Sequence, residues 1–287
     1  MDISFCIVSL NAKHHLNYCL RSIPNAVETL SYEILIADNN SKDGSKEYIL
    51  SKYSNLNWIS NQRNKGYTKA LNDLIKISQG RYKVILNPDS QLMSNSVSCL
   101  IDYLNQNKNI GIVGPKVLNA DGSFQKSCRR GLATPSAVFS YFFGLSRIFN
   151  NNKRYTGYHL NHLDENQIHE VSGVSGSCMI IRNAVISDIG YFDEQFFAYQ
   201  EDSDICLRAI EMGWKIYYNP RAVVVHQGGM GGANSVPLKA NFEWHRSYIR
   251  YYNKHFSNDY SIIFNWFYYF IMYTKLIISQ IISLLKR

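Results

Sequence analysis

Residues 3–10, ISFCIVSL, form an apolar run rich in β-branched side chains, the pattern of a strand covered on both faces. From 14 to 23 the apolar positions Leu16, Cys19, Leu20 and Ile23 switch to helical spacing, which stops near Pro24. The alternation then repeats. Residues 33–37 (EILIA) read as a strand ended by the turn-rich DNNSKDGS, 45–53 as helix, 57–60 as a short strand and 67–78 as helix. Residues 82–86 (YKVIL) read as a strand ended by NPDS, and a helix over 95–107 and a strand over 110–114 follow. Strands separated by helices predict the α/β class, with a doubly wound, mostly parallel central sheet. Ligands of such sheets bind beyond the carboxyl ends of the strands.

The pattern loosens over 116–170. NADGS at 119–123 reads as a hairpin-type turn, and the apolar AVFSYFFGL followed by the polar NNNKRYTGYHLNHLDENQ reads as a mobile loop over the site. Order resumes with a strand over 171–182, an acidic helix from about 202 to 212 and strand-like runs at 214–218 and 222–226. The tail, 261–287, is different in kind. Its polar positions Asn265, Tyr268, Lys275, Ser279, Ser283 and Lys286 fall three, four or seven apart and make one stripe on an apolar helix. A spanning helix needs about 20 mostly uninterrupted apolar residues, and Lys275 interrupts this run. With Trp266, Phe267, Tyr269, Phe270 and Tyr273 beside the stripe, the tail is expected to lie in a membrane surface; packing on its own domain or on a partner is the alternative. The chain thus divides at 1–115, 116–256 and 257–287.

Composition narrows this picture slightly. Apolar residues are 46% of the chain, enough for a large core, and charged residues only 18%. Lys and Arg number 30 against 22 Asp and Glu, a net +8 that suits anionic lipid or phosphorylated substrates. No dense basic run marks a nucleic-acid arm, so no nucleic-acid partner is expected. The six cysteines are scattered without a Cys-x-x-Cys pair, as expected of thiols in a reducing compartment. The first residues lack the basic and apolar regions of an export signal, so export is not expected.

The polar residues at strand ends are the candidates for chemistry. Asp38, at the end of strand 33–37, can accept from a pyrimidine N3–H or ribose hydroxyls, or can simply make an Asx-turn or helix cap. Asn87 and Asp89 flank Pro88 on a stiff turn, and oxygen ligands so placed can point at one hard cation. Glu201 and Asp202 open the acidic helix. There carboxylates favour the helix dipole, but the crowding rings of Phe196, Phe197 and Tyr199 would also desolvate a carboxylate and raise its proton affinity, as a general base requires. His226 follows AVVV and precedes QGGMGG; it is a metal or diphosphate ligand, or a structural imidazole. Gly228, Gly229, Gly231 and Gly232 read as a flexible flap or a phosphate cradle, although neither the dinucleotide fingerprint nor a P-loop is present.

Taken in order, IVSLN, IADNNSKDGS, NQRNKGYTKALN, VILNPDS, GVSGSCMIIRN and GYFDEQFFAYQEDSDICLRAIEMGWKIYYNPRAVVVHQGG resemble the successive signatures of bacterial family 2 glycosyltransferases. The resemblance covers residues 3 to about 255, and HRSYIRYYNKHF at 245–256 is similar to the rhamnosyltransferase-like branch. It implies the GT-A fold, with 1–115 as the nucleotide-sugar half and 116–256 as the acceptor and base half; 257–287, beyond the resemblance, is expected from its own pattern to be a membrane-associated helix. It implies that Asp38 holds the base, that the Ser9 backbone and Asn11 line the nucleotide, and that Asn64 and Gly66 lie beside ribose and phosphate. Asn87 to Asp89 stands where the family has an Asp-x-Asp metal motif, with Asp89 the ligand to Mg²⁺ or Mn²⁺ and His226 joining the metal or diphosphate. Asp202 is implied as the catalytic base and Glu201 as its support. Asn87 departs from the motif, and a neutral amide is the weaker ligand.

The implied activity is inverting transfer of a sugar, rhamnose from dTDP-rhamnose first, to a lipid-linked or growing surface polysaccharide at the inner face of the cell membrane. Other donors (UDP-galactofuranose, UDP-glucose, a UDP-amino sugar) and a non-catalytic polysaccharide-assembly role are the alternatives. A nucleotidyltransferase of similar shape would carry a glycine-rich N-terminal loop, and SLNAKHHL has none.

Overall fold

A computed structural model of the chain describes residues 1–149, 152–230, 234 and 237–285. The first half runs β1 (Ile3–Ser9), α1 (Lys13–Val27), β2 (Tyr32–Asp38), α2 (Ser45–Leu50), β3 (Asn57–Ser60), α3 (Tyr67–Ile77), β4 (Tyr82–Leu86), β5 (Ser90–Leu92), α4 (Ser96–Gln106) and β6 (Ile110–Leu118). The second half runs β7 (Arg129–Arg130), α5 (Pro135–Phe142), α6 (Leu145–Ile148), α7 (Lys153–Thr156), β8 (His169–Glu170), β9 (Gly173–Val174), β10 (Cys178–Arg182), α8 (Asn183–Ile189), α9 (Glu201–Glu211), β11 (Lys215–His226), α10 (Pro237–His255) and α11 (Ile262–Leu285).

Among the described residues nine strands make one sheet in the order β3-β2-β1-β4-β10-β6-β11-β5, with β8 on β11. β3, β2, β1 and β4 are parallel, as are β6 and β11. β10 enters antiparallel between β4 and β6, and β5 and β8 pair antiparallel with β11. β1 explains its own unbroken apolar run: Phe5 and Ile7 pack under α1 and α4 on one face, and Cys6 and Val8 under α3 and α9 on the other.

Four expectations change in detail. α1 continues through Pro24 to Val27; the proline forfeits one bond, to the carbonyl of Leu20, while buried Ile23, Ala26 and Val27 hold the last turn on the core. The strand expected over 171–182 is broken at Ser175–Ser177, where the backbone turns to the ligand side. The runs at 214–218 and 222–226 are one strand, bulged between Asn219 and Val223. The excursion over 116–170 is structured: the hairpin turn closes between Leu118 and Phe124, and α5 packs its rings against α10 and α11. Asn150 and Asn151 lie outside the described residues.

The tail helix packs with its polar stripe inward. Asn241 of α10 bonds Ser279 and Ser283, Asn265 bonds Tyr252 and the carbonyl of Ser257, and Tyr268 stacks on Tyr252 at 3.8 Å. The Lys275 ammonium lies 4.2 Å from the Phe142 ring centre and 4.9 Å from that of Trp244, and 3.3 Å from His245 Nε2. Lys286 lies outside the described residues. The outward face is apolar: Ile263 is 83% exposed, Trp266 72%, Phe270 70% and Leu285 81%. By length and composition α11 is apolar enough to cross a membrane.

Candidate active site

Parallel pairing sets the first part of the site. Register places Ser9 beside Asp38, so β1 and β2 end together. The loop after β2 is tied by its own polar groups: Asp38 Oδ1 accepts from the N–H of Ser41 (3.1 Å) and from its hydroxyl, and Asn11 Oδ1 accepts from Lys42 N–H (2.7 Å). Both readings of Asp38 therefore stay physical; one oxygen makes the Asx-turn and the second is uninvolved in it. At the start of α3, Asn64 Oδ1 accepts from Gly66 N–H (3.0 Å), and Tyr67 N–H donates to the Phe197 carbonyl (2.7 Å). Gly66 has φ 95°, and a Cβ there would lie 2.8 Å from the Phe197 ring and carbonyl. Only glycine fits that turn.

Antiparallel pairing of β5 with β11 sets the second part, because it places His226 opposite Ser90, next to Asp89. Asp89 is 2% exposed. Its Oδ2 accepts from Met230 N–H (2.9 Å), so the segment after Gly228 and Gly229 closes over it; Gly231 and Gly232 lie outside the described residues. Its Oδ1 lies 3.3 Å from His226 Nε2 and has no aligned hydrogen bond among the described residues. His226 Nδ1 meets Gln125 Oε1 at 2.9 Å, which places the proton on Nδ1 and leaves the Nε2 lone pair toward Asp89 and the Asn87 amide, 3.3 Å away. A bare carboxylate oxygen and an imidazole lone pair 3.3 Å apart fit two neighbouring ligands of one hard cation, whose bonds of about 2.1 Å at right angles separate donors by about 3 Å. Among the described residues no group of three or more His, Cys, Asp and Glu could hold a metal alone. The donor set therefore suits a cation that takes its remaining ligands from phosphate and water.

The acidic pair forms the third part. Tyr199 and Gln200 both have left-handed backbone, φ 69° and 61°, a costly conformation for two successive side-chain-bearing residues. It turns the start of α9 toward the ligand side. Asp202 accepts from three donors, the Arg130 guanidinium and Gly176 N–H (3.0 Å) on Oδ2 and Ser203 N–H (2.8 Å) on Oδ1, which leaves one lone pair of Oδ1 open. Glu201 is its opposite. Burial, then the charge of Asp202, push its carboxyl up to about 8, and its Oε2 has no partner among the described residues. Asp204, by contrast, is structural: Arg208, Lys254 and His255 surround it and tie α9 to α10.

These parts meet in one cavity of about 430 Å³. Asn64, Asn87, Asp89, Glu201, Asp202 and His226 are in its wall; Ser9, Asn11, Asp38 and Gly66 are not, although Leu10, Asn39 and Tyr67 beside them are. Residues the sequence reading did not single out complete the wall. Arg130 gave one signal, the adjacent pair Arg129-Arg130. The two part company, Arg129 bonding the carbonyls of Leu163 and Asp164 and Arg130 bonding Asp202. Tyr158, Glu243, Trp244 and Tyr248 arrive from the excursion and α10, and Gln125 reaches His226 across a hairpin, none with a local signature.

The chain is similar to known proteins of one family. The Glycosyl transferase family 2 profile matches residues 4–190, and the Glycosyl transferase family group 2 profile matches 141–284. N-acetylglucosaminyl-diphospho-decaprenol L-rhamnosyltransferase of Mycobacterium tuberculosis is 30% identical over 224 residues, 74% of this chain and 71% of its own length. Abequosyltransferase RfbV of Salmonella typhimurium is 30% identical over 158 residues, covering 53% of this chain and 45% of its own. Among solved structures, the mannosyltransferase of Pyrobaculum calidifontis in complex with GDP-Man and Mn²⁺ superposes with a TM-score of 0.59 at 13% identity, over 88% of this chain and 63% of that one. Staphylococcus aureus TarS superposes with 0.55 at 14% identity, over 90% and 73%. These structures share the GT-A fold. The chain belongs to glycosyltransferase family 2, and it is a glycosyltransferase.

Proposed function

We propose that this glycosyltransferase moves a sugar, rhamnose from dTDP-rhamnose first among donors, onto a saccharide carried on a polyprenyl diphosphate, with inversion at the anomeric carbon. The observation that carries the reading is the single cavity that joins Asp89 and His226 to Asp202. The mycobacterial relative, a rhamnosyltransferase named for a decaprenyl-diphosphate-linked acceptor, supports the donor and the acceptor class.

Asp38, Asn11, Asn64 and the backbone at Ser9 and Gly66 bind the nucleoside end where the parallel strands finish. Asn87, Asp89 and His226 would hold Mg²⁺ or Mn²⁺, which when bound supplies charge neutralisation to the departing diphosphate. Asp202 takes the proton of the acceptor hydroxyl as that oxygen attacks C1 from the face opposite the leaving group. The C1–O bond to the diphosphate breaks and the new C1–O bond forms, which inverts the centre. Arg130 and the N–H groups of Gly176 and Ser203 fix the carboxylate in place. Glu201, protonated, leaves that charge single rather than doubled. The apolar face of α11 lies in the inner surface of the cell membrane, where a lipid-linked acceptor resides.

Thermal melting with a panel of nucleotide sugars, each with and without Mg²⁺ or Mn²⁺, tests the reading. A fitting donor at a hundred times its Kd raises stability by about 2.7 kcal/mol. Stabilisation by dTDP-rhamnose that needs the cation is the expected result. Stabilisation by no nucleotide sugar under any condition would refute it.

A further inference from the structure

One part of the cavity wall has a chemistry of its own. It is built of rings, with Trp244 and Tyr248 on α10 beside Tyr158 from the excursion. Trp244 and Tyr248 pack at 4.8 Å, and Tyr158 meets Tyr248 through their hydroxyls at 2.8 Å. Into this wall are set two buried oxygens with no donor among the described residues, Glu243 Oε2 and Gln200 Oε1. Glu243 is 6% exposed and Gln200 3%. The remaining groups of both are taken: Glu243 Oε1 by Arg246 at 3.3 Å, and Gln200 Nε2 by the Tyr158 hydroxyl at 3.0 Å. Buried oxygens are costly without a donor, and native structures rarely leave them so. Both residues line the cavity.

We infer that Glu243 and Gln200, beside the ring of Trp244 with buried Tyr248 packed behind it, form a subsite for the acceptor sugar, an uncharged pyranose ring that lays its apolar face on Trp244 and donates hydroxyl hydrogens to the two oxygens. The required ligand is rich in O–H donors and carries no anionic group at this point, because the Glu243 carboxylate would repel a uronate. Sugars match both demands, with an apolar C–H face and hydroxyls at the rim. The inference rests on the reading of the chain as a sugar transferase, and it assigns its acceptor side.

The test measures binding of octyl glucoside and of octyl glucuronide to the full-length protein by calorimetry, with release of nucleoside diphosphate from the donor, without acceptor, assayed separately. The wild type is expected to bind the neutral glycoside at least tenfold more tightly than the glucuronide. Glu243→Met keeps the side-chain length and removes the acceptor oxygens; in protein that melts as the wild type does, it should weaken glucoside binding at least tenfold. Glu243→Gln, which keeps one acceptor oxygen, should retain more of the affinity and lose the discrimination against the glucuronide. Unchanged glucoside binding in folded Glu243→Met, or equal binding of both glycosides by the wild type, overturns the subsite. If the wild type hydrolyses none of the nucleotide sugars tested, the proposed donor fails instead, and the binding data still decide the subsite.

Discussion

Replacing Asp202 and Glu201 one at a time by their amides separates chemistry from structure. Asp202→Asn loses the group that receives the proton, and a positioned base is worth about 10²–10⁴ in rate. It also leaves the Arg130 guanidinium buried without its counter-charge. The two side chains are only 10% and 11% exposed, so the pair counts as buried, and breaking such a pair by removing one partner costs about 3–5 kcal/mol. A chain of this size should melt on the order of 10 °C lower. Glu201→Gln is the contrast. Glu201 is held uncharged near neutrality, so an amide replaces a neutral group of the same shape. Turnover should stay within about tenfold of wild type, since no proton-accepting charge is lost; stability should match wild type below pH 4.5 and exceed it at pH 7, because the amide need not take up a proton on folding.

The pH dependence of melting adds a sign. A carboxyl raised from 4.5 to about 8 takes up a proton on folding between those values. Stability present below pH 4.5 is therefore lost as pH rises through about 8, and Glu201→Gln should flatten that slope. Acceptor-dependent turnover and melting curves from pH 4 to 9 measure all of this. Inactive Glu201→Gln beside active Asp202→Asn would reverse the roles, and wild-type melting of Asp202→Asn would show that Arg130 is not committed to it.

Two further outcomes follow from geometry. Gly66→Ala places a methyl 2.8 Å from the Phe197 ring and carbonyl at φ 95°, so it should destabilise by about 1–3 kcal/mol, read as a lower urea midpoint at unchanged m-value. Trp266→Glu with Phe270→Glu removes two exposed rings from α11, leaving its contacts with α10 intact. Loss of about 3 kcal/mol of apolar transfer should cut partitioning into anionic vesicles about a hundredfold, with turnover on a soluble acceptor unchanged; undiminished vesicle binding would exclude this face as the anchor.

The first half of the fold was legible because its signals are local. Runs such as ISFCIVSL and YKVIL need both faces covered, and Asp38 and Asp89 stand where such strands end. The second half depends on contacts between distant segments. Nothing in AVFSYFFGL says that its rings meet Tyr268 and Trp244, which lie more than a hundred residues on. The stripe on the tail was visible, but its direction was not: Asn241, His245 and Tyr252 on α10 turn it inward and leave the rings outside. Arg130 was hidden for the same reason, since its partner is 72 residues away.

α10 is a wall one helix thick. Glu243, Trp244 and Tyr248 face the cavity from it, while Asn241, His245 and Tyr252 clasp the tail. Anchor and pocket are consequently not separable cassettes. A chimaera that exchanges the tail with a relative's should be cut ahead of Pro237, so that both helices travel together; a junction near Ser261 would pair one parent's polar clasp with another's stripe and distort the ring wall behind it.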